Sequence, residues 1–287
     1  MKKLSTTLSF VLVAMLAGSI QLASAAEKNY SLALSKPGEP VSIDIEVYRG
    51  SITLVGYKGD TIEISAKTSV FSGKDNDKGL KKVKGQINNN NPARSSKGLK
   101  SVKIQSMRLE IEEKNNKVEI SSELLNQHVD LVIKVPQRAS IVVELYKGGD
   151  INVDGISGGL ELEAYQGMII AKNISGPIVA ETVRTDIVVS FSNFSKTSPS
   201  SLTSHMGNID ITLAKKVVAN VNVQTYQGEI FSGLDKDFVV IDEIKKNKKG
   251  QKQTIILGGI MQAKVNGGGQ TLSLTSYSGN LYIRKGQ

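Results

Sequence analysis

A phrase of the form apolar-x-x-Tyr-x-Gly-x-Ile recurs about seven times along the 287-residue chain, and it constrains the fold more than any other feature. Its clearest copy is LEAYQGMIIA, from Leu162 to Ala171. The aromatic position is filled by Tyr48, Tyr146, Tyr165, Tyr226 and Tyr277, with Val183 and His205 in the two remaining copies. The bend position is filled by Gly50, Gly149, Gly167, Gly207, Gly228 and Gly279, and by Thr185 in one copy. Each copy therefore predicts a strand, a tight bend and a second strand, with glycine supplying a backbone angle that other residues reach at a cost.

The spacing of the copies predicts how they pack. The isoleucine after the bend recurs at positions 151, 169, 187, 209 and 230, at intervals of 18, 18, 22 and 21 residues. Apolar and polar residues alternate around the bend, as in IDITL from Ile209 to Leu213, so one face of each strand points inward. A single repeat cannot bury that face, and a regular period of this length favours a β-solenoid whose coils stack on one another. A β-sandwich with evenly spaced strands is the alternative.

Outside the signal-like N-terminus no helical period extends beyond two turns, so we expect an all-β protein with coils of about 18–22 residues. The copy from Tyr146 to Gly149 is one residue longer than the others, which predicts a β-bulge. Asn115 and Asn116 separate two alternating runs and predict a hairpin. Two lysine-rich segments, 71–104 and 242–253, break the pattern and are expected to be long, mobile surface loops.

Residues 1–25 have the pattern of an export signal peptide. Lys2 and Lys3 precede an apolar run, and Ala23-Ser24-Ala25 supplies the small residues of a cleavage site. The mature protein is then expected to be one domain, from residue 26 to 287. No later stretch is apolar enough to span a bilayer, and the absence of cysteine leaves no disulfide framework and no lipid-attachment site. These features predict a protein of the periplasm or the exterior of the cell that is not lipid-anchored.

The formal net charge of +9 is concentrated in one segment. Residues 71–104 contain nine Lys or Arg against Asp75 and Asp77. A basic exported protein is expected to meet anionic partners such as lipid headgroups or acidic glycans, while nucleic acid is not expected in that compartment. Lys81, Lys82 and Lys84 are the candidate contacts to such a surface.

The run from His128 to Gly176, HVDLVIKVPQRASIVVELYKGGDINVDGISGGLELEAYQGMIIAKNISG, resembles the bacterial "putative adhesin" family of toastrack repeats. A strand ending in Val-Pro is followed by Gly-x-Ile phrases separated by Ile-Ser-Gly links. The closing VNGGGQTLSLTSYSGNLYIRK is similar to the last coil of such proteins. The resemblance extends over residues 40–287 and implies an exported right-handed β-solenoid without catalytic residues. Other members are linked to envelope-stress systems.

Candidate catalytic groups are few. His128 opens a strand and His205 fills an aromatic position, so both have structural interpretations, and neither a zinc site nor a Ser-His-Asp arrangement is expected. Asp150, Asp186 and Asp210 flank the repeated isoleucine, but their counterparts in other coils are mostly not acidic, so no dense acidic ladder is expected there. These counterparts are Ser51, Met168, Asn208 and Glu229. We expect no enzyme, cofactor or metal site, and a polysaccharide-acting enzyme is a distant alternative.

The sequence favours a non-enzymatic module that acts through its surface. Tyr146, Tyr165, His205 and Tyr226 are expected to form one line along the stack, which could bind sugar rings or a partner's edge. Alternatively, these rings stack on one another only to shield the bends. Adhesion to a glycan or another envelope component is the leading function. A periplasmic envelope-stress or assembly scaffold, binding protein partners or anionic lipid, is the alternative. Open solenoid ends predict a cap or a dimer.

Overall fold

A computed structural model describes residues 26–70, 108–122, 127–234, 238–243 and 259–286. These residues form 19 strands and no helix. The strands are β1 (Ala26–Ala33), β2 (Ser42–Tyr57), β3 (Thr61–Val70), β4 (Glu110–Lys114), β5 (Lys117–Ser122), β6 (Gln127–Pro136), β7 (Ser140–Asp154), β8 (Leu160–Ala164), β9 (Ile169–Ile174), β10 (Ile178–Thr182), β11 (Ile187–Phe191), β12 (Ser200–Ser204), β13 (Ile209–Leu213), β14 (Ala219–Thr225), β15 (Ile230–Ser232), β16 (Phe238–Glu243), β17 (Gly259–Val265), β18 (Gln270–Ser276) and β19 (Leu281–Lys285).

The strands belong to one continuous sheet that is folded along the bends. We call the part before the bends the first face of the solenoid and the part after the bends the second face. The first face contains the strands before the bends, in the order β4-β5-β2-β7-β8-β10-β12-β18-β14-β17-β16. The second contains the strands after the bends, in the order β1-β3-β6-β2-β7-β9-β11-β13-β19-β15. The long strands β2 and β7 run through their bends and contribute to both faces.

Stacked coils pair in parallel and in register, as predicted for a β-solenoid. Ile151, Ile169, Ile187 and Ile209 lie opposite one another on the second face, which confirms the expected coil length. The alternative β-sandwich is not formed. Gly50 pairs with Gly148 but Ile52 pairs with Ile151, so the predicted bulge in β7 is confirmed. The right-handed winding stays a prediction.

The inward-pointing apolar residues of both faces pack into one core. In β2, for example, Ile43 and Ile45 before the bend and Ile52 and Leu54 after it are fully buried. The same core cluster includes Ile156 and Phe194 from the links between strands, and Ile174 at the end of β9. Neighbouring coils lie about 4.8 Å apart, and each fully buried aliphatic side chain contributes about 1.5–3 kcal/mol. Burial and strand pairing therefore hold the stack together without a disulfide.

The coils are not stacked in chain order. The N-terminal coil, β2, lies between β5–β6 on one side and β7 on the other. The C-terminal coil, β18–β19, lies between β12–β13 and β14–β15. We expected Tyr226 to follow His205 along the edge, and this is wrong because Tyr277 of the C-terminal coil separates them.

A glycine-rich turn makes the C-terminal insertion possible. Asn266, Gly267 and Gly268 all have positive φ, at 49°, 92° and 90°, in the left-handed region that glycine and asparagine tolerate best. The turn leads from β17 to β18, which flank β14 on opposite sides. The Asn266 amide fastens the turn by donating to the carbonyls of Lys215 and Val217, at 2.9 and 2.6 Å.

Antiparallel strands cover the ends of the stack. At one end, β4 pairs with β5 on the first face, while β3 and then β1 extend the second face beyond β6. At the other end, β17 and β16 cover β14. The turn between β4 and β5 is made by Asn115 and Asn116, with φ of 55° and 61°, so the predicted hairpin is confirmed. Caps rather than an exposed parallel strand therefore close the first face at both ends.

Several sequence-based predictions fall outside the described residues. These are the export signal at 1–25 and the basic loop at 71–104, with Lys81, Lys82 and Lys84. Asp242 and Glu243, which we assigned to the second loop at 242–253, are the last residues of β16. The rest of that loop is also outside the described ranges.

Candidate functional site

The bends of successive coils form one edge between the two faces, which we call the bend edge. Strand register places the aromatic position of the phrase along it in the order Tyr48, Tyr146, Tyr165, Val183, His205, Tyr277 and Tyr226. Tyr146, Tyr165, Tyr226 and Tyr277 each expose 40–45% of their surface. The structure thus brings the candidate residues Tyr146, Tyr165, His205 and Tyr226 to one line, and it adds Tyr48 and Tyr277.

Rings at the C-terminal part of the bend edge cover one another's faces. His205 and Tyr277 stack at 4.9 Å between centroids with an interplanar angle of 4°, and Tyr277 and Tyr226 stack at 5.0 Å and 6°. Tyr48 and Tyr146 stack more loosely, at 6.1 Å and 27°. Tyr165 lies between Tyr146 and Val183 and takes part in none of the ring stacks found among the described residues, although the Arg184 guanidinium lies over its ring at 6.0 Å from the centroid. A sugar stacks on a ring face, so Tyr165 is the best placed of these residues to bind one.

Close approach, more than backbone angle, explains the glycines of the bends. A Cβ on Gly167, Gly207, Gly228 or Gly279 would lie only 1.9–2.1 Å from a backbone carbonyl oxygen of the adjacent coil. Gly50 combines a φ of 155° with a 1.7 Å approach to the Val129 oxygen, and Gly149 would approach the Ser51 Cβ at 2.8 Å. We expected an unusual backbone angle at every bend, and this is wrong for most of them, since only Gly50 among these six has a positive φ.

Buried hydroxyl groups join the bends of neighbouring coils. The Ser204 hydroxyl accepts from the Gly207 N–H at 2.9 Å and donates to the Thr185 carbonyl of the next coil at 3.0 Å. Ser276 and Thr225 repeat this pattern, with donation to the carbonyls of Gly207 and Gly279. We call these three residues the hydroxyl ladder. Sequence reasoning missed it, although a Ser or Thr three residues before Gly207, Gly228 and Gly279, where the alternation calls for an apolar residue, was a visible signal.

The aspartates considered as catalytic candidates form hydrogen bonds that join neighbouring coils. The Asp150 carboxylate accepts from the Met168 N–H at 2.8 Å, and the Asp186 carboxylate accepts from the Asn208 N–H at 2.7 Å. Asp210 is held by the Arg284 guanidinium through both carboxylate oxygens. Each of these carboxylates is engaged with the next coil, and the three do not converge on one site.

An acidic ladder does form, but on the first face. Glu46, Glu144, Glu163 and Glu181 lie opposite one another on β2, β7, β8 and β10, and all four point outward because their chain neighbours are buried. We call these four residues the glutamate ladder. It lies directly beside Tyr48, Tyr146 and Tyr165 of the bend edge. The aspartates predicted as candidates lie next to the repeated isoleucine, whereas the ladder occupies the strand before the bend.

The electrostatics of the ladder follow from its crowding. Partial burial raises the pKa of Glu163, and the charges of Glu144, Glu181 and Glu161 raise it further. The Tyr146 hydroxyl donates to the Glu144 carboxylate at 2.9 Å. That hydrogen bond, together with the negative charges of Glu144, Glu46 and Glu163, raises the pKa of Tyr146. The face is therefore a region of negative potential, although the whole chain is basic.

A shallow groove of about 340 Å³ borders the glutamate ladder on the side away from the tyrosines. Val142, Val179, Pro177 and Pro199 give it apolar walls, and Glu161 adds a carboxylate. Val179 exposes 49% of its surface. The first face thus carries three parallel strips that cross the strands: the groove, the glutamate ladder and the tyrosines.

The two histidines lie far apart and in different surroundings. His128 Nε2 is 3.0 Å from the Asp130 carboxylate, and the Ser51 hydroxyl donates to the same oxygen. In this cluster the aspartate, not the histidine, is central, so His128 cannot take a proton from Ser51 as a catalytic triad requires. His205 Nε2 is 3.2 Å from Glu181 of the glutamate ladder.

The described ranges contain no group of three or more His, Asp or Glu side chains arranged to hold a metal ion. Within the same ranges, no helix is long and apolar enough to cross a membrane.

Comparison with known proteins gives one distant likeness. No family model and no curated protein matches the chain. A crystal structure described as a "putative cell adhesion protein" from Clostridium sporogenes is similar over 92% of this chain and 100% of that one, with 10% sequence identity and a TM-score of 0.45. A likeness this distant assigns neither a family nor a function. The resemblance to toastrack repeats therefore remains an expectation from the sequence.

Proposed function

We propose that this protein is a non-enzymatic binding module of the cell envelope that engages a glycan, in the manner of an adhesin, along its bend edge and first face. The observation that carries the proposal is the register of the coils. Each coil adds one residue to each outward row, so the same kinds of side chain recur about every 4.8 Å across the strands. A polymer with a repeating unit is the ligand that such a surface can contact at several points at once.

Tyr165 is the residue expected to contribute most to sugar contact. Its ring is 45% exposed, and its neighbour toward the C-terminal coils is Val183, whereas His205, Tyr277 and Tyr226 cover one another. An aromatic contact of this kind is worth about 0.5–1.5 kcal/mol, which corresponds to about a twofold to tenfold change in affinity.

Binding of the purified protein to an array of neutral, acidic and amine-bearing oligosaccharides tests the proposal. Tyr165→Ala should weaken binding to the retained glycans by about twofold to tenfold without lowering the unfolding temperature. Tyr30→Ala is the matched control, because Tyr30 is similarly exposed, at 39%, but lies on β1 away from the bend edge. Equal binding by wild type and Tyr165→Ala, or no binding to any glycan, would contradict the proposal.

The alternative scaffold function has less support on the described surface. Attraction to anionic lipid was predicted from Lys81, Lys82 and Lys84, which lie outside the described residues. Within the described ranges, Asp and Glu outnumber Lys and Arg, and the glutamate ladder would repel an anionic bilayer. Neutralising the three lysines and measuring salt-sensitive vesicle binding still tests that alternative directly.

A further inference from the structure

The glutamate ladder is costly for the fold. Like charges directly opposite one another on neighbouring strands destabilise a sheet, and here four of them occur in succession. Among the described residues, Glu181 lies 3.2 Å from His205 Nε2, and the ion pairs found there include no Lys or Arg for Glu46, Glu144 or Glu163. A feature that violates a rule of sheet stability without a gain inside the protein is expected at a functional surface.

Apolar contact is available on both sides of the ladder. The groove with Val142 and Val179 lies on one side, and the exposed ring of Tyr165 lies on the other. The Tyr146 hydroxyl fixes the Glu144 carboxylate from the side of the bend edge. A ligand lying across the strands would therefore meet carboxylates in the middle and apolar surface at its borders. The apolar borders are formed by residues other than the glutamates of the ladder.

We propose that the ligand of the first face is a cationic glycan, an amino-sugar polymer with free ammonium groups that lies across β2, β7, β8 and β10. This inference rests on the proposed glycan-binding function and specifies its ligand class. The ammonium groups on the side that faces the sheet donate hydrogen bonds to carboxylates of the ladder, and such charge-assisted hydrogen bonds are the strong ones. The apolar faces of the sugar rings contact the groove and Tyr165.

The repeat distance favours a glycan over a basic peptide. Ladder carboxylates recur about every 4.8 Å, whereas side chains on one side of an extended peptide recur about every 6.6–6.8 Å. A peptide laid across the coils would lose register with the ladder within two or three coils. Successive rings of an extended amino-sugar chain face opposite ways, so the amines on one side recur at about two strand spacings and stay in register with alternate carboxylates of the ladder.

The test compares two hexamers of equal length, glucosamine and N-acetylglucosamine, by calorimetric titration at about pH 6, where amines are protonated and most carboxylates are ionised. The full chain should bind the glucosamine hexamer at least about tenfold more tightly, and added salt should reduce that preference. Glu144→Gln with Glu163→Gln should abolish the preference. Glu229→Gln, an exposed carboxylate outside the ladder, should retain it. The double variant removes repulsion, so its unfolding temperature should be unchanged or higher.

Equal binding of the two hexamers would overturn the cationic ligand while leaving the proposed glycan function intact. Preference for a lysine hexamer over the glucosamine hexamer would also overturn it, and would identify a basic peptide as the partner. Failure of both sugar hexamers to bind, with Tyr165-dependent binding to other glycans retained, would refute this inference alone. Failure of every glycan would refute the proposed function as well.

Discussion

The buried hydroxyls of Ser204, Ser276 and Thr225 show how one side-chain group can set the geometry of a bend. Each one satisfies a backbone N–H of its own bend and a backbone carbonyl of the next coil. Without them, both backbone groups would be buried without partners, at about 1–3 kcal/mol each. The glycine three residues later lets the neighbouring carbonyl approach closely. Hydroxyl and glycine thus act together at these three bends.

Gly207→Ala should destabilise the fold substantially. The added Cβ would lie 1.9 Å from the Thr185 oxygen, so the coils must separate locally, at about 1–3 kcal/mol. Gly159→Ala is the control, because its nearest atoms would be 3.9 and 4.0 Å from the new Cβ. Chemical denaturation of both variants measures the difference. Similar midpoints would mean that the bend glycines are not held by close approach.

Glu163→Gln should stabilise the protein at neutral pH, by a few tenths of a kcal/mol since the side chain is exposed to solvent. The pKa of Glu163 is raised by burial and by neighbouring carboxylates, so its charged form is disfavoured in the folded state. The cost is present above that raised pKa and disappears as the pH falls through it. The advantage of the variant should therefore shrink in acid.

Glu113→Gln provides the opposite case in the same denaturation series. Hydrogen bonds from the Ser35 hydroxyl, the Asn116 N–H and the Ser35 N–H lower the pKa of Glu113, so its contribution is present at neutral pH and lost as the pH falls through that lowered pKa. This variant should be the less stable one at neutral pH. Effects of equal sign for the two variants would contradict the assigned electrostatics.

The positions of the bend residues were predictable from the sequence, but their structural roles were not. Because the tyrosines and glycines recur at regular intervals, the sequence alone predicts where the bend edge lies. The glutamate ladder was not found, because Glu46, Glu144, Glu163 and Glu181 become neighbours only when the register across four strands is known. Similarly, the close contact that requires Gly207 is with a residue of another coil, which local backbone reasoning does not include.

At the scale of elements, antiparallel cap strands terminate the stack of parallel strands. A parallel edge offers unpaired backbone groups to any further strand, and antiparallel β4, β3 and β17 cover such edges here. The turns after β4 and β17 use asparagine and glycine in left-handed conformations. The β4–β5 hairpin was predictable from Asn115-Asn116 between two alternating runs. The pairing of β3 with β6 was not, since those strands are separated by a long segment with no repeat.

Asn116→Ala should loosen the cap at the β4–β5 end. The Asn116 side chain is buried, accepts from the Lys36 N–H at 2.8 Å and donates to the Lys36 carbonyl at 2.6 Å. Its loss should cost about 1–3 kcal/mol and speed hydrogen exchange in β4 and β5. Asn115→Ala is the matched control, since it removes an exposed asparagine of nearly the same φ. Equal effects would assign the cost to the backbone angle, not to the amide.

At the scale of the whole molecule, the first coil and the last coil of the described chain are built into the interior of the stack. The coil β2 and the coil β18–β19 each pair on both sides with coils that are distant in sequence. The repeat period predicted the coils and their parallel stacking. It could not predict their order, because copies of one phrase are interchangeable partners in sequence. In this order the turn Asn266–Gly268 connects two strands that lie on opposite sides of β14.

The spatial order of the coils is the claim on which the bend edge, the hydroxyl ladder and both proposals depend, and disulfide crosslinking tests it directly. The chain has no native cysteine, so any disulfide that forms must join the two engineered cysteines. His205→Cys with Tyr277→Cys should crosslink readily, because the two residues occupy adjacent coils. His205→Cys with Tyr226→Cys should not, since two coil spacings, about 9–10 Å, exceed the reach of a disulfide. Peptide mapping of the oxidised proteins that shows a 205–226 bond and no 205–277 bond would contradict the account.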